Sequence, residues 1–257
     1  MKRVAIIGLG WLGLPLAEFL IAQGWQVIGS NRNAKPLPHI TSLPFVLNGE
    51  IPEALLNVDA VVINLPPGSR NKEDYVEGIK RLVSQAILQN VKQLIFVSST
   101  SVFPQTAGVF NESSAPQAES DSAEAIIELE QWLTTLAIDC DILRLAGLIG
   151  GNRHPVYYLT DKQPLTHAEQ PVNLVHRNDC IRAIFRLLQT ANGQRLYHLV
   201  YPDHPKRREY YSAIAAKLGL VDLHFSADNR PLVRLIEGEK ICRELDFRYQ
   251  TDLYQLA

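Results

Sequence analysis

The sequence predicts an α/β fold: a doubly wound parallel sheet covered by helices on both faces, followed by a small mixed C-terminal lobe. Three observations predict it. Several strand-length runs are apolar at every position, as strands buried on both faces are. Longer segments with helical period lie between them. Near the start, "VAIIGLGWLGLPLAEFL" (Val4–Leu20) runs from apolar residues into glycines and then into an amphipathic stretch.

Taken in order, Val4–Ile7 reads as a buried strand and Leu12–Ala22 as a helix that Gly24 ends. A second strand begins at Gln26–Gly29, and a shorter one is expected near Phe45–Leu47. "DAVVINLPP" (Asp59–Pro67) is an apolar strand stopped by two prolines. In Lys72–Asn90, Tyr75, Ile79, Leu82, Val83, Ala86 and Ile87 share one helical face. "KQLIFVSS" is another strand, Ser122–Leu136 a helix, and "DCDILRLAGLIG" a strand leaving into a glycine turn. Such alternation means a parallel sheet whose ligand lies at the carboxyl ends of its strands. After Gly150 the pattern loosens into polar loops, short strands, helical segments at Asp179–Leu188 and Arg207–Leu218, and a last short helix in "GEKICRELDF". The expected division is residues 1–150 for the sheet domain and 151–257 for a smaller, interleaved lobe.

Of the 257 residues, 46% are hydrophobic and 20% charged, so a core can form and disorder is not expected. The net charge is −2 with scattered basic residues, which argues against a nucleic-acid or membrane-surface partner. No apolar run is long enough to cross a bilayer, and the glycines and Glu18 interrupt any signal-like start, so a cytoplasmic protein is expected. Cys140, Cys180 and Cys242 stand apart and suggest neither a disulfide framework nor a metal site.

Gly8-Leu9-Gly10-Trp11-Leu12-Gly13 is a G-x-G-x-x-G between a strand and a helix, the context in which the motif binds a dinucleotide. Gly8 permits the turn, Gly10 admits the pyrophosphate, and Gly13 lets helix and strand pack closely. Trp11 and Leu12 offer backbone N–H groups at the helix N-terminus. This makes the expected domain Rossmann-type. At the end of the second strand an NAD site places a carboxylate on the ribose. Here stand Ser30, Asn31 and Arg32, with no acid. Small polar donors and a guanidinium suit a 2′-phosphate, so NADP is expected over NAD. Asn64 and Pro66, at the end of the next apolar strand, are expected to line the same cleft.

"LIFVSSTSVF" (Leu94–Phe103) resembles the strand-end motif of the extended short-chain dehydrogenases/reductases, the epimerase/dehydratase group. "NESSAP", "DILRLAGLIG", "VNLVHRNDCIRAI" and "KICRELDF" resemble further motifs of that family, in the family's order. The resemblance covers nearly the whole chain and is closest to an atypical bacterial subgroup. It implies Ser98 at the cofactor, Ser99 in the catalytic Ser/Thr place, Thr100 near the substrate, and a nucleotide-sugar-like small molecule as substrate. The family's Tyr-x-x-x-Lys pair falls on Ser122 and Ile126, and no tyrosine or lysine occurs between Phe110 and Trp132. A serine hydroxyl is far too weak an acid to replace a phenol of pKa about 10.

A replacement is sought in "GNRHPVYYLTDK". His154 and Tyr157 are the acid/base candidates there, and Arg153 and Tyr158 the substrate contacts; a surface turn is the alternative. His176 is expected to be partly buried, and Asn178 or Asp179 to cap the helix that follows. "HPKRRE" either binds a phosphorylated substrate or is a solvated helix start. The family often pairs two helices per subunit in a homodimer; apolar Val76, Leu129 and Leu133 are expected to be exposed for this. The leading expectation is an NADP(H)-dependent reductase or epimerase. The alternatives are a non-catalytic NADP(H) sensor or scaffold and, last, a β-hydroxyacid dehydrogenase, which needs a longer helical C-terminal domain.

Overall fold

The chain begins with β1 (Arg3–Ile7), α1 (Gly13–Ala22), β2 (Gln26–Asn31), β3 (Thr41–Pro44), β4 (Ala60–Ile63), α2 (Lys72–Leu88) and β5 (Gln93–Ser99). There follow β6 (Gly108–Phe110), α3 (Asp121–Leu133), β7 (Asp139–Leu145), β8 (Gly147–Ile149), α4 (Val156–Leu159), β9 (Leu174–His176) and α5 (Arg177–Gln189). The last elements are β10 (Gln194–Leu199), α6 (Arg207–Lys217), β11 (Arg234–Ile236) and α7 (Lys240–Leu245). The structure is a computed structural model and describes residues 2–33, 37–68, 70–227 and 233–256.

Seven strands form one sheet in the order β10-β7-β5-β4-β1-β2-β3, and every pairing from β3 through β5 is parallel. The order reverses at β1: the chain adds β2 on one side of it and later returns to place β4 on the other. The strand order therefore switches between β1 and β4, where a doubly wound sheet opens its ligand crevice. In register, Ile7 pairs with both Ser30 and Ile63, and Ile63 with Phe96, so the carboxyl ends of β2, β1, β4 and β5 lie side by side. β1 from Val4 onward and all of β4 are buried, which their unbroken apolar runs require.

The helices have local reasons to start where they do. The Asn71 side chain accepts from Asp74 N at 2.7 Å at the head of α2, and the Ser120 side chain accepts from Ala123 N at 3.2 Å at the head of α3. Both first turns carry acids, Glu73 and Asp74 in one, Asp121 and Glu124 in the other, which suits the helix dipole. α2 and α3 pack on each other, with Lys72–Glu124 at 3.0 Å and Lys80–Glu128 at 2.7 Å across their rims.

Two expectations are corrected. Val76, Leu129 and Leu133 are buried within the chain and offer no exposed face to a second copy. The third strand is Thr41–Pro44 and not Phe45–Leu47: its residues are exposed or half-exposed and mixed in polarity, an outer strand that an apolar run does not mark, while Phe45 and Leu47 are buried beyond it.

The chain forms two compact units. One comprises Met1–Val102, Pro116–Arg144 and Ile181–Tyr197; the other comprises Phe103–Ala115, Leu145–Cys180 and His198–Ala257. The second unit holds two small parallel ribbons, β6 with β11 and β8 with β9, and its own core around Val156, Leu165, Tyr210, Ile214 and Leu253.

Candidate functional site

The glycine loop at the end of β1 is built by steric necessity. Gly8 has φ +107°, and a Cβ there would lie 2.5 Å from the Asn64 carbonyl oxygen. A Cβ on Gly13 would collide with the Gly8 carbonyl. Gly10 differs: a Cβ there would meet nothing within 4 Å, so its surroundings are open. Leu9 N donates to Ser30 O at 2.8 Å, and the Asn64 side-chain amide donates to Gly8 O at 3.1 Å. The loop is thus tied to the ends of both neighbouring strands. α1 opens with no side-chain cap and no acid in its first turn, so its positive end is not neutralised there. Trp11 is half-buried and Leu12 buried. Open space at Gly10 before an uncapped helix start is what a pyrophosphate requires.

At the end of β2, Ser30 is buried, Asn31 half-buried and Arg32 exposed. No acidic residue follows Ile28 until Glu50. At the end of β4, Asn64 is half-buried and Pro66 exposed.

The end of β5 contains an arrangement the sequence reading missed. Ser98, expected at the cofactor, is 5% exposed, and its hydroxyl donates to Glu130 Oε1 at 2.5 Å. Glu130 faces inward from α3 and takes Arg144 of β7: Nε lies 3.0 and 3.1 Å from the two carboxylate oxygens, and Nη2 2.5 Å from Oε2. The signal was an arginine inside the apolar strand "DILRLA", which needs a buried anion. Ser99, next along the strand, is half-buried, and its Oγ accepts from Ser101 N at 3.1 Å. Thr100 is buried in a short 3-10 turn. On α3, Ser122 is exposed and Ile126 buried.

In the second unit, Arg153, Tyr157 and Tyr158 are exposed, Tyr158 by 69%. His154 is not with them at the surface; it is 5% exposed. Its Nε2 lies 2.9 Å from the Tyr210 hydroxyl, which itself donates to Leu253 O at 2.9 Å. Its Nδ1 accepts from Val156 N at 3.1 Å. The network therefore sets a neutral ring with the proton on Nε2. Burial pushes its pKa down to about 4 from 6.5, so the ring does not titrate near neutrality as expected. The unfolded chain takes up a proton near 6.5 that the folded chain refuses, so stability falls as pH drops from about 6.5 toward about 4. Denaturant midpoints measured across that window are expected to show a shallower slope in His154→Phe; an unchanged slope would mean the ring is protonated in place.

His176 is buried, and its Nδ1 accepts from Asn178 N at 3.1 Å. Asp179 lies inside the first turn of α5, and its carboxylate accepts from Gln250 N at 2.9 Å and Thr251 N at 3.1 Å, holding a distant stretch of chain. At "HPKRRE", the amides of Arg207 and Arg208 donate to the carbonyls of Gln170 and Ala168. Lys206 pairs with Glu169 at 2.8 Å.

A parallel sheet with its strand order reversed beside a glycine loop and a helix N-terminus defines a dinucleotide-binding fold. Residues 8–190 match the model of the NAD(P)H-binding family, and the chain belongs to that family. Protein YeeZ of Escherichia coli strain K12 is 39% identical over 266 residues, covering 97% of this chain and 96% of its own length. Among solved structures, Bordetella bronchiseptica WbmH in complex with NAD+ superposes with a TM-score of 0.81 at 19% identity, over 99% of this chain and 95% of that one. UDP-N-acetylglucosamine 4-epimerase from Bacillus cereus does so with a TM-score of 0.81 at 17% identity, over 99% and 96%. The fold is that of the epimerase/dehydratase group. Among the described residues no helix is long and apolar enough to cross a membrane, and no His, Cys, Asp and Glu group could hold a metal ion.

Proposed function

We propose that the chain is an NADP(H)-binding oxidoreductase or epimerase acting on a carbonyl or carbinol of a small polar substrate of the sugar-nucleotide class. The observation that carries the reading is the open space at Gly10 beside a β2 end that bears Arg32 and no carboxylate. Gly8, Gly10, Trp11, Leu12 and Gly13 hold the pyrophosphate, Asn64 and Pro66 border it, and Ser30, Asn31 and Arg32 take the 2′-phosphate. The neighbours named for NAD+ and for a UDP-sugar epimerase support the nicotinamide and the substrate class, while the choice of NADP rests on the β2 end alone. A bound nicotinamide supplies or accepts a hydride. Ser99 donates a hydrogen bond to the reacting oxygen, Tyr157 is the proposed phenol, and Thr100, Arg153 and Tyr158 are proposed substrate contacts.

Calorimetric titration with NADPH and NADH tests the reading. Arg32→Ala is expected to weaken NADPH by about ten- to hundredfold and leave NADH unchanged, as loss of a charge-assisted phosphate contact requires. Equal affinity of the wild type for both nucleotides would remove the case for NADP; binding of neither would remove the whole reading.

One observation favours a second reading, a redox sensor or scaffold without turnover: α3 presents Ser122 and Ile126 where the resemblance places the catalytic tyrosine and lysine. Turnover on a panel of carbonyl and UDP-sugar substrates, abolished in Ser99→Ala and Tyr157→Phe, sinks it. Tight NADPH binding with no turnover on that panel supports it.

A further inference from the structure

The loop leaving β4 reads "LPPGSR" (Leu65–Arg70). Its two prolines have no N–H to donate, and the backbone N–H of Arg70 reaches Pro67 O only at 3.4 Å. Gly68, with φ +64°, turns the loop so that Arg70 comes back over it. Arg70 Nη1 donates to Pro66 O and to Pro67 O, each at 3.1 Å. Those two bonds use both protons of Nη1. A guanidinium is planar, so fixing Nη1 restricts the whole fork. The Nε–Nη2 edge, which matches a carboxylate or phosphate in geometry, has no acceptor among the described residues. The side chain is half-buried and has no described carboxylate partner.

The position of this loop gives the edge its meaning. In a doubly wound sheet the adenosine ribose lies at the end of the second strand and the pyrophosphate at the first helix N-terminus. The rest of a dinucleotide then runs the other way along the sheet, over the ends of β4 and β5. The loop carrying Arg70 leaves β4, whose neighbouring residue Asn64 already bonds to Gly8. Resting on the nicotinamide reading above, we propose that Arg70 is a substrate-binding residue whose Nε–Nη2 edge takes an oxyanion, carboxylate or phosphate, at the reacting end of the crevice. A loop staple alone needs only donors for two carbonyls, which a lysine also supplies. The fork is needed only for a planar or bidentate ligand.

The test titrates wild type, Arg70→Lys and Arg70→Ala with NADPH and NADH. Cofactor-saturated protein is then titrated with UDP-glucose as the phosphate probe and glucuronate as the carboxylate probe. Arg70→Lys keeps the charge and two donors for the prolyl carbonyls, and thermal unfolding confirms that each variant folds. The expected result is cofactor affinity within about twofold of wild type and affinity for one probe lowered about ten- to hundredfold in both variants. Equal weakening of NADPH and NADH overturns the substrate assignment, because the oxyanion then belongs to the cofactor. Unchanged probe affinity in the variants, or a wild type that binds neither probe, overturns it as well. A wild type that binds no nicotinamide nucleotide defeats the cofactor reading instead; the probes are then titrated alone, and Arg70 stands or falls on their affinities.

Discussion

Glu130→Ala is expected to destabilise the protein by about 3–5 kcal/mol, the usual cost of breaking a buried ion pair by removing one partner. The carboxylate is almost wholly enclosed, takes the Nε–Nη2 edge of the Arg144 guanidinium, and accepts the Ser98 hydroxyl. Its loss strips a buried guanidinium of its counter-charge and leaves a buried hydroxyl without its acceptor. The double variant Glu130→Leu/Arg144→Met is expected to recover most of that stability, because two apolar side chains of similar volume avoid the desolvation of both ions. Ser98→Ala, which removes one hydrogen bond to a charged group, is expected to cost about 1.5–3 kcal/mol. Urea denaturation of the four proteins measures these differences. A Glu130→Ala protein as stable as wild type would mean that water reaches Arg144 and replaces the carboxylate.

The second large effect separates two glycines only three positions apart. Gly10→Asp is expected to abolish binding of a nicotinamide nucleotide while moving the unfolding midpoint little, since a side chain at this position enters open space. The added carboxylate would stand where a pyrophosphate approaches, so its bulk and its like charge would both oppose binding. Gly13→Ala is expected to lose stability first, because its Cβ meets the backbone of Gly8, which cannot rotate away as a side chain can. Overpacking of this kind typically costs about 1–3 kcal/mol. Thermal unfolding and nucleotide titration on the same samples give the pattern. A Gly10→Asp protein that still binds NADPH as the wild type does would remove the glycine loop from the cofactor site.

The glycine loop was legible because its signals are local: a strand, a turn that needs φ above zero, and a helix start fall within ten consecutive residues. The doubly wound parallel sheet followed from apolar strands alternating with helices. Burial of α2 and α3 was misjudged at Val76, Leu129 and Leu133 because periodicity tells which residues share a face and not what covers that face. Ser98 was misplaced for a related reason. Neighbouring strand residues point to opposite sides of a sheet, and the run Ser98-Ser99-Thr100 does not say which serine faces α3. His154 looked accessible beside Arg153 and Tyr157, but its partner Tyr210 and that hydroxyl's acceptor, Leu253, are 56 and 99 positions further on. No local pattern reports such a closure.

The two units are each assembled from three separate lengths of chain, and this sets an order on synthesis. β10 pairs with β7 in the sheet, yet the chain between them first passes through the other unit, from Leu145 to Cys180, before α5 returns to the first. A nascent chain therefore carries β7, which the folded sheet buries along nearly its whole length, as an unpaired edge until residues 194–199 emerge. Such an edge is a template for pairing with another molecule. Ribosome stalling between β7 and β10, or expression of a fragment that stops short of β10, would hold the chain in that adhesive state, and aggregation of those truncated products is the consequence to look for.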